Sequence, residues 1–211
     1  MFTLLRSRIL TDAHELDAFA RRFARRGGLR VEREVLARAG GLVRGFFNAD
    51  GELVGGYAFN VEPPFRYLEH LPEAVETPPI EDCVEFGFLW MARSLPQLAR
   101  LSIYARGLAD MRRLGRRYCI AGSVHAKLVS DHRAAFPGRI YDGPVEVPEG
   151  RFHLRVYCGT LPQLVGGYLR FVGGRIARTI KRGRSRSRSA LPKKPASAPR
   201  ARLSAAASSS A

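Results

Sequence analysis

The residue best suited to acid-base chemistry is Glu85, a single acid inside the apolar run from Cys83 to Met91. Burial of a carboxyl group disfavours its charged form and raises its pKa, which suits a general base that works near neutral pH. The alternative is an acid on the solvated face of a strand, with no chemical role. Glu85 is therefore a candidate general base whose role depends on its burial.

Two histidines, His125 and His132, are further candidate bases, although a lone histidine is more often structural or exposed. The sequence contains no H-E-x-x-H, G-x-S-x-G or G-x-x-x-x-G-K motif and no cysteine–histidine spacing typical of a metal site. The three cysteines, Cys83, Cys119 and Cys158, are odd in number and far apart, which favours reduced core thiols. We therefore expect no metal, and P-loop and serine-hydrolase chemistry have no support.

Periodicity and turn signals predict the elements that would position Glu85. Apolar residues at helical spacing predict helices at residues 11–26 and 31–39. Asp50-Gly51, between two β-rich runs, predicts a hairpin. The predicted strands are residues 2–5, 42–48, 53–61, 83–91, 118–125, 139–147 and 152–158.

A helix is predicted directly after the acidic strand. Ser94 and Gln97 have the spacing of a capping box, and Pro96 would lie in the first turn of a helix that ends at Gly115. A shorter helix is predicted at residues 127–136. The element order is then β-α-α-β-β-β-α-β-α-β-β, which indicates an α/β (α+β) sheet with helices on its faces.

Residues 62–79 are rich in proline and predict an ordered but irregular loop before the acidic strand. A loop of this length inside a compact domain is more often functional than idle. Its Phe65, Tyr67 and His70 either cover an acceptor site or pack as part of an ordinary surface loop.

The chain has 211 residues, of which 45% are hydrophobic, enough for one ordinary core. Its formal charge of +16 is concentrated near the C-terminus, because residues 170–211 hold twelve Lys or Arg and no acid, which leaves +4 on residues 1–169. We predict one folded domain at residues 1–159 and a basic amphipathic segment at 160–182 that forms a helix against a surface. Residues 183–211 are predicted to be a disordered Arg/Ser/Pro/Ala-rich tail.

The basic tail has three interpretations. It is a solvated terminus that improves solubility, a weak, salt-sensitive contact with nucleic acid, or an attachment to an anionic lipid surface through residues 161–181. No segment has the roughly 18 apolar residues of a membrane span, and the N-terminus lacks the features of a signal peptide. The sequence predicts a cytoplasmic protein, peripheral to a membrane if the tail binds lipid.

The element order resembles the GCN5-related N-acetyltransferase (GNAT) fold over about residues 1–158. The fourth strand of that fold and the start of its cofactor-binding helix are similar to the run Glu85-Phe86-Gly87-Phe88-Leu89-Trp90-Met91 and the turn that follows it. The resemblance implies a mixed, mostly antiparallel central sheet with helices on both faces. It also implies a fourth strand that splays from its neighbour and binds the pantetheine arm of acetyl-CoA or a longer acyl-CoA, and a helix N-terminus that receives the pyrophosphate. Carried onto this chain, the cofactor-binding residues are Trp90, Met91, Ala92, Arg93, Ser94, Gln97, Leu98, Ala99 and Arg100.

The phosphate loop departs from the family pattern Gln/Arg-x-x-Gly-x-Gly/Ala. The matching residues run from Gln97 to Ser102, and Arg100 stands where the first glycine is expected. Glycine there lets the backbone approach the phosphates closely. Arg100 either supplies a charged phosphate contact of its own or marks an altered site. The early acid, the Leu-Trp pair and a later Tyr with Gly-Pro look closer to the branch that includes N-acyl amino acid synthases and autoinducer synthases.

The resemblance implies acyl transfer from acyl-CoA to an amine acceptor. This reaction requires a deprotonated amine, a stabilised oxyanion and a protonated leaving thiolate. Glu85 would be the base. Tyr141, whose strand the resemblance places near the sulfur, is the candidate acid, with core packing as the alternative. The rival function is a GNAT-like binding module without catalysis, attached by its basic tail to nucleic acid or an anionic membrane.

Overall fold

The structure, a computed structural model, describes residues 5–26, 31–36, 41–126, 129–147 and 150–174. The strands are β1 Arg6–Ile9, β2 Leu42–Phe47, β3 Leu53–Asn60, β4 Cys83–Met91, β5 Tyr118–Ser123, β6 Gly138–Val147 and β7 Gly150–Thr160. The helices are α1 Ala13–Arg25, α2 Arg33–Leu36, α3 Gln97–Leu114, α4 Val129–Ala135 and α5 at residues 161–174, with a 3₁₀ turn at Ile80–Asp82. The predicted order of strands and helices is confirmed.

All seven strands belong to one sheet, in the order β1-β2-β3-β4-β5-β7-β6. Every neighbouring pair is antiparallel except β4 and β5, which are parallel. The helices cover both faces: α1 and α2 pack on one, whereas α3, α4 and α5 pack on the other. The predicted mixed, mostly antiparallel sheet is therefore confirmed, and its single parallel junction lies at the centre.

The first described strand is Arg6–Ile9; of the strand predicted at residues 2–5, residues 2–4 lie outside the described residues. It is an edge strand whose residues are mostly exposed. An edge strand is held by backbone pairing, here between Arg6 and Phe47 at one end of the β1–β2 ladder.

The capping box predicted from Ser94 and Gln97 does not form. Pro96 is the N-cap of α3, outside the first turn, and no side chain makes a capping hydrogen bond there. Proline has no N–H and a fixed φ, so it leads the chain into the helix without supplying a polar cap. The other end is as predicted, because Gly115 closes α3 in the left-handed conformation, at φ 69°.

A buried ionic cluster ties α3 to the sheet. Asp110 of α3 is fully buried, and its carboxylate is bound by Nε and Nη2 of Arg44 on β2, the Nη2 contact being 2.8 Å. The Tyr57 hydroxyl, on β3, donates to Asp110 at 2.6 Å, and Arg106 lies 3.7 Å from the same carboxylate. Burial, reinforced by Asp110, raises the pKa of Tyr57 well above its ordinary value.

Residues 161–174 continue from β7 as α5, which packs on α3. The Tyr168 hydroxyl donates to the carbonyl oxygen of Leu101 at 3.2 Å, and the rings of Tyr104 and Phe171 meet at 5.9 Å. The compact unit accordingly runs to Gly174 rather than ending near residue 159.

The basic stretch from residue 175 onward, which includes the tail at 183–211, lies outside the described residues. Among the residues that are described, no helix is both long and apolar enough to cross a membrane.

Candidate active site

A V-shaped split opens between β4 and β5 at the centre of the sheet. The two strands pair only from Cys83–Phe86 to Tyr118–Ala121. Beyond these residues β4 continues to Met91 along β3, whereas β5 continues to Ser123 along β7. Past Phe86 and Ala121, β4 and β5 are therefore not paired with each other, as parallel strands that separate expose their pairing edges.

A β-bulge deforms β4 at the start of this split. Tyr57 of β3 faces both Phe88 and Leu89, because Gly56 pairs with Trp90 while Ala58 pairs with Gly87. Phe88 has φ 53°, a left-handed conformation that costs a non-glycine residue about 1–3 kcal/mol and is concentrated at functional sites.

The bulge reverses the alternation of side chains along β4. Before it, Val84 and Phe86 face α3; after it, Leu89 faces α3, whereas Phe88 and Trp90 pack in the α1 cluster. Edge-to-face packing of Phe23 at 5.5 Å and the guanidinium of Arg66 at 5.3 Å hold the Phe88 ring on the α1 side.

Glu85 is buried, at 4% exposure, which excludes the solvated-face alternative. Its Oε1 accepts a hydrogen bond from the backbone N–H of Tyr67 at 2.8 Å. Glu85 pairs with Ile120 just before the split opens. The carboxylate thus lies at the base of the split, on the face opposite α3, and the proline-rich loop supplies one of its hydrogen-bond donors.

Tyr67, which belongs to the proline-rich loop, crosses this same face of the split. A Cβ on Gly122 of β5 would lie 2.6 Å from the Tyr67 ring, and one on Gly87 of β4 would lie 3.6 Å from its hydroxyl. Glycine at position 122 is therefore required for the ring to span the two strands. Burial and the Glu85 carboxylate raise the pKa of Tyr67, so its hydroxyl stays protonated at neutral pH. No sequence motif marks this residue, because the loop has no periodic pattern.

Arg100 of α3 holds the loop between β4 and α3. Its Nε donates to the carbonyl oxygen of Leu95 at 3.0 Å, and its Nη2 donates to those of Ala92 and Arg93 at 3.1 and 2.8 Å. The side chain thus satisfies backbone acceptors and leaves a positive charge beside the helix N-terminus, which already favours anions.

The remaining residues predicted to bind the donor lie along this connection. Met91 is half-buried, and Ala92 and Ala99 are buried, whereas Arg93, Ser94, Gln97 and Leu98 are exposed at the start of α3. Trp90 packs instead against Phe19 in the α1 cluster, and its indole nitrogen has no hydrogen-bond partner within the described part of the chain. The structure therefore brings the predicted residues to one end of the split, with Trp90 as part of its opposite wall.

Tyr141 lies farther from the split than Glu85 and Tyr67. It belongs to β6, and β7 separates β6 from β5. Its hydroxyl donates to the carbonyl oxygen of Pro144 on its own strand at 2.7 Å. The structure brings Glu85 and Tyr67 together at the base of the split, and Tyr141 packs against the same apolar cluster as Tyr67.

The other titratable candidates do not form a metal site. His125 is exposed at the end of β5, and His132 is half-buried on α4. No group of three His, Cys, Asp or Glu with metal-binding geometry occurs in the described residues. The predicted free thiols are confirmed, with Cys83 and Cys119 buried and Cys158 half-buried. Burial raises the pKa of Cys83 to about 11, so it stays a neutral thiol.

An apolar cavity of about 120 Å³ lies on the α3 side of the sheet, opposite Glu85 and Tyr67. Its walls come from β3, β4 and β5 and from the three helices α3, α4 and α5. Leu89 and Ala121, which flank the opening of the split, are among its lining residues.

No family model and no curated protein matches the chain in sequence. Several solved structures match it in fold. FeeM, an N-acyl amino acid synthase from uncultured soil microbes, is 15% identical, with a TM-score of 0.59 over 77% of this chain and 94% of FeeM. TofI, solved in a ternary complex with an inhibitor and MTA, is 15% identical, with a TM-score of 0.55 over 80% of this chain and 96% of TofI.

YncA from Salmonella typhimurium, solved with its cofactor acetyl-CoA, is 17% identical, with a TM-score of 0.51 over 75% of this chain and 95% of YncA. At these identities the likeness concerns the fold. Together with the central split, the bulge and the helix that follows it, this likeness confirms the resemblance suggested by the sequence: the chain has the GCN5-related N-acetyltransferase fold.

Proposed function

We propose that this protein is an acyl-CoA-dependent N-acyltransferase, which transfers an acyl group from coenzyme A to an amine acceptor. The observation that carries the proposal is the split between β4 and β5, with a strained bulge at Phe88 and a buried acid at its base. Strain of this kind persists where the surrounding structure enforces it, and it is concentrated at sites of chemistry or ligand binding.

The donor would bind at the end of the split where β4 leads into α3. Pro96 at the N-cap of α3 supplies no side-chain cap, and the helix dipole favours negative charge at this end, so a pyrophosphate would bind there. The guanidinium of Arg100 adds a positive charge there while it ties down the carbonyls of Ala92, Arg93 and Leu95. These contacts support a donor site in which Arg100 takes the position of the family's glycine and its side chain folds back onto the preceding loop.

The amine would be activated on the opposite face by Glu85. A buried carboxylate is a stronger base than an exposed one, because its charged form is poorly solvated. The Glu85 carboxylate would take a proton from the incoming ammonium or amine, so that the nitrogen lone pair can attack the thioester carbon. Backbone N–H groups of β4 at the bulge would stabilise the oxyanion that forms.

We assign Tyr67, rather than Tyr141, as the acid that gives a proton to the leaving thiolate. The Tyr67 side chain spans the split between Gly87 and Gly122. The Tyr141 hydroxyl is bonded to Pro144, and β7 lies between its strand and the split. Of the two tyrosines, Tyr67 is therefore the better positioned acid.

The test uses the full-length protein, because α5 is part of the compact unit. Calorimetric titration with acetyl-CoA and free CoA measures donor binding, and release of free thiol from acetyl-CoA is followed in the presence of amino acids, polyamines and arylamines. We expect micromolar donor binding and thiol release that depends on one amine class. Absence of binding to either form of CoA would overturn the proposal and favour the rival binding module attached by its basic tail.

A further inference from the structure

The apolar cavity reaches the split from the side opposite Glu85. Leu89 belongs to the bulge of β4, and Ala121 is the last β5 residue paired with β4. Both line the cavity. The cavity therefore borders the split at these two residues.

The far wall of the cavity is built from helices. Gly107 and Met111 of α3, Phe136 next to α4, and Leu164 and Phe171 of α5 are among its lining residues. A Cβ on Gly107 would be 3.8 Å from the rings of Phe86 and Tyr57, so the glycine leaves space that a larger side chain would fill. The depth of the cavity depends on this glycine and on α5, which follows the last strand of the sheet.

The apolar wall of the cavity suits the aliphatic part of a thioester donor better than its polar parts. None of the described lining residues is Asp, Glu, Lys or Arg. The pantetheine arm carries amides and a hydroxyl, and burying these groups without hydrogen-bond partners is costly. An aliphatic chain has no such groups. The volume of about 120 Å³ is close to that of apolar cavities that hold one benzene molecule, which corresponds to a chain of about five or six carbons.

We propose that this cavity binds the aliphatic part of the donor acyl group, so that the preferred donor carries a medium-length chain and not acetyl. This inference rests on the proposed acyl transfer and adds its donor class. Gly107 and Phe171 then set the length of chain that is accepted, and α5 becomes part of the specificity site.

The first experiment titrates the full-length protein with free CoA and with acetyl-, butyryl-, hexanoyl- and palmitoyl-CoA. Each buried methylene increases affinity about fourfold, so hexanoyl-CoA should bind on the order of 10²-fold more tightly than acetyl-CoA. Palmitoyl-CoA should gain little beyond hexanoyl-CoA, because a cavity of about 120 Å³ has room for only about five or six carbons. Equal affinity for acetyl- and hexanoyl-CoA would overturn the inference.

The second experiment fills the cavity. Gly107→Leu should remove most of the preference for hexanoyl-CoA while the affinities for acetyl-CoA and free CoA stay unchanged. Gly166→Leu is the matched control, because a Cβ there meets only the guanidinium of Arg170 at 3.5 Å. Gly107→Ala, which introduces only a methyl group at ordinary contact distance, serves if the leucine variant fails to fold, and it should reduce the preference several-fold. A preference for hexanoyl-CoA that survives in folded Gly107 variants would overturn the assignment.

A third measurement separates the cavity from the proposed function. S-hexanoyl- and S-acetyl-N-acetylcysteamine carry the same acyl groups but lack the nucleotide, and their binding is followed by thermal stabilisation. A larger shift with the hexanoyl thioester, lost in Gly107→Leu, supports the cavity even if no form of CoA binds, a result that would remove only the CoA donor. Equal shifts with both thioesters would overturn the cavity assignment whatever the CoA result.

Discussion

Two buried carboxylates lie on opposite faces of the sheet, and their surroundings differ. Asp110 of α3 is bound by the Arg44 guanidinium and the Tyr57 hydroxyl, with Arg106 close by. Glu85 of β4 accepts a hydrogen bond from the backbone N–H of Tyr67, at the base of a split between strands.

Under the proposed function, the difference separates a structural acid from a reactive one. A carboxylate bound by a guanidinium group and a hydroxyl has its lone pairs engaged and its position fixed, so it contributes geometry to the fold. A carboxylate that receives a backbone N–H in an apolar strand is oriented without being neutralised by that donor. We therefore expect replacement of Asp110 to affect stability and replacement of Glu85 to affect turnover.

The largest expected effect is that of Asp110→Asn on folding. The neutral amide leaves the Arg44 charge buried without a counter-charge, and breaking a buried ion pair in this way costs about 3–5 kcal/mol. Urea unfolding followed by circular dichroism measures the loss, with exposed Glu81→Gln as the control. A loss below about 1 kcal/mol would show that Asp110 does not anchor α3.

Glu85→Gln should leave stability nearly unchanged and reduce turnover. The amide oxygen can still accept from the Tyr67 N–H, so the unfolding free energy should change by less than about 1 kcal/mol. Loss of the base should lower turnover by roughly 10²-fold or more, with donor affinity nearly intact. Steady-state thiol release and calorimetry measure the two quantities.

Glu81→Gln is the matched control for turnover as well, since Glu81 is an exposed acid just before β4. Unchanged turnover in Glu85→Gln would remove this residue from the mechanism. A loss of stability as large as that of Asp110→Asn would make both acids structural and end the contrast between them.

A smaller effect is expected for Arg100→Lys. Lysine keeps the charge but cannot donate from a planar fork to the carbonyl oxygens of Ala92, Arg93 and Leu95 together. Loosening of this loop should weaken free CoA binding roughly tenfold, equivalent to about 1.4 kcal/mol, and leave the ratio of hexanoyl- to acetyl-CoA affinity unchanged. If CoA affinity is unaffected, the arginine does not shape the donor site.

Local signals predicted most of the fold. Asp50-Gly51 marked the hairpin, the apolar run of β4 marked a central strand, and Gly115 marked the end of α3. Each of these depends on residues close together in the chain, and a single sequence shows such patterns well.

The site was less predictable because its key features depend on distant partners. The bulge at Phe88 exists only in the pairing of β4 with β3. The role of Tyr67 depends on Gly122, which belongs to another strand, and the partners of Asp110 come from β2 and β3. The burial of Glu85 could be predicted because one acid in an apolar run is visible locally, whereas its contact with Tyr67 could not.

The smallest expected effect concerns Tyr157, which tests whether a buried polar group without a partner behaves differently from a paired one. Tyr157 is 1% exposed and lies beside His132, with ring centroids 5.5 Å apart, and its hydroxyl has no hydrogen-bond partner among the described residues. Removing an unpaired buried hydroxyl relieves its desolvation cost, so Tyr157→Phe should leave stability unchanged or raise it by about 1 kcal/mol.

Tyr57→Phe is the contrasting variant, because that hydroxyl donates to Asp110 at 2.6 Å and its loss should cost about 1–3 kcal/mol. Urea unfolding of both variants, with thiol release measured in parallel, completes the test. A destabilised Tyr157→Phe would mean that the hydroxyl has a partner in solution. Unchanged stability with a clear loss of turnover would instead place the Tyr157 hydroxyl in contact with the substrate, which would make it a second buried polar group kept for function.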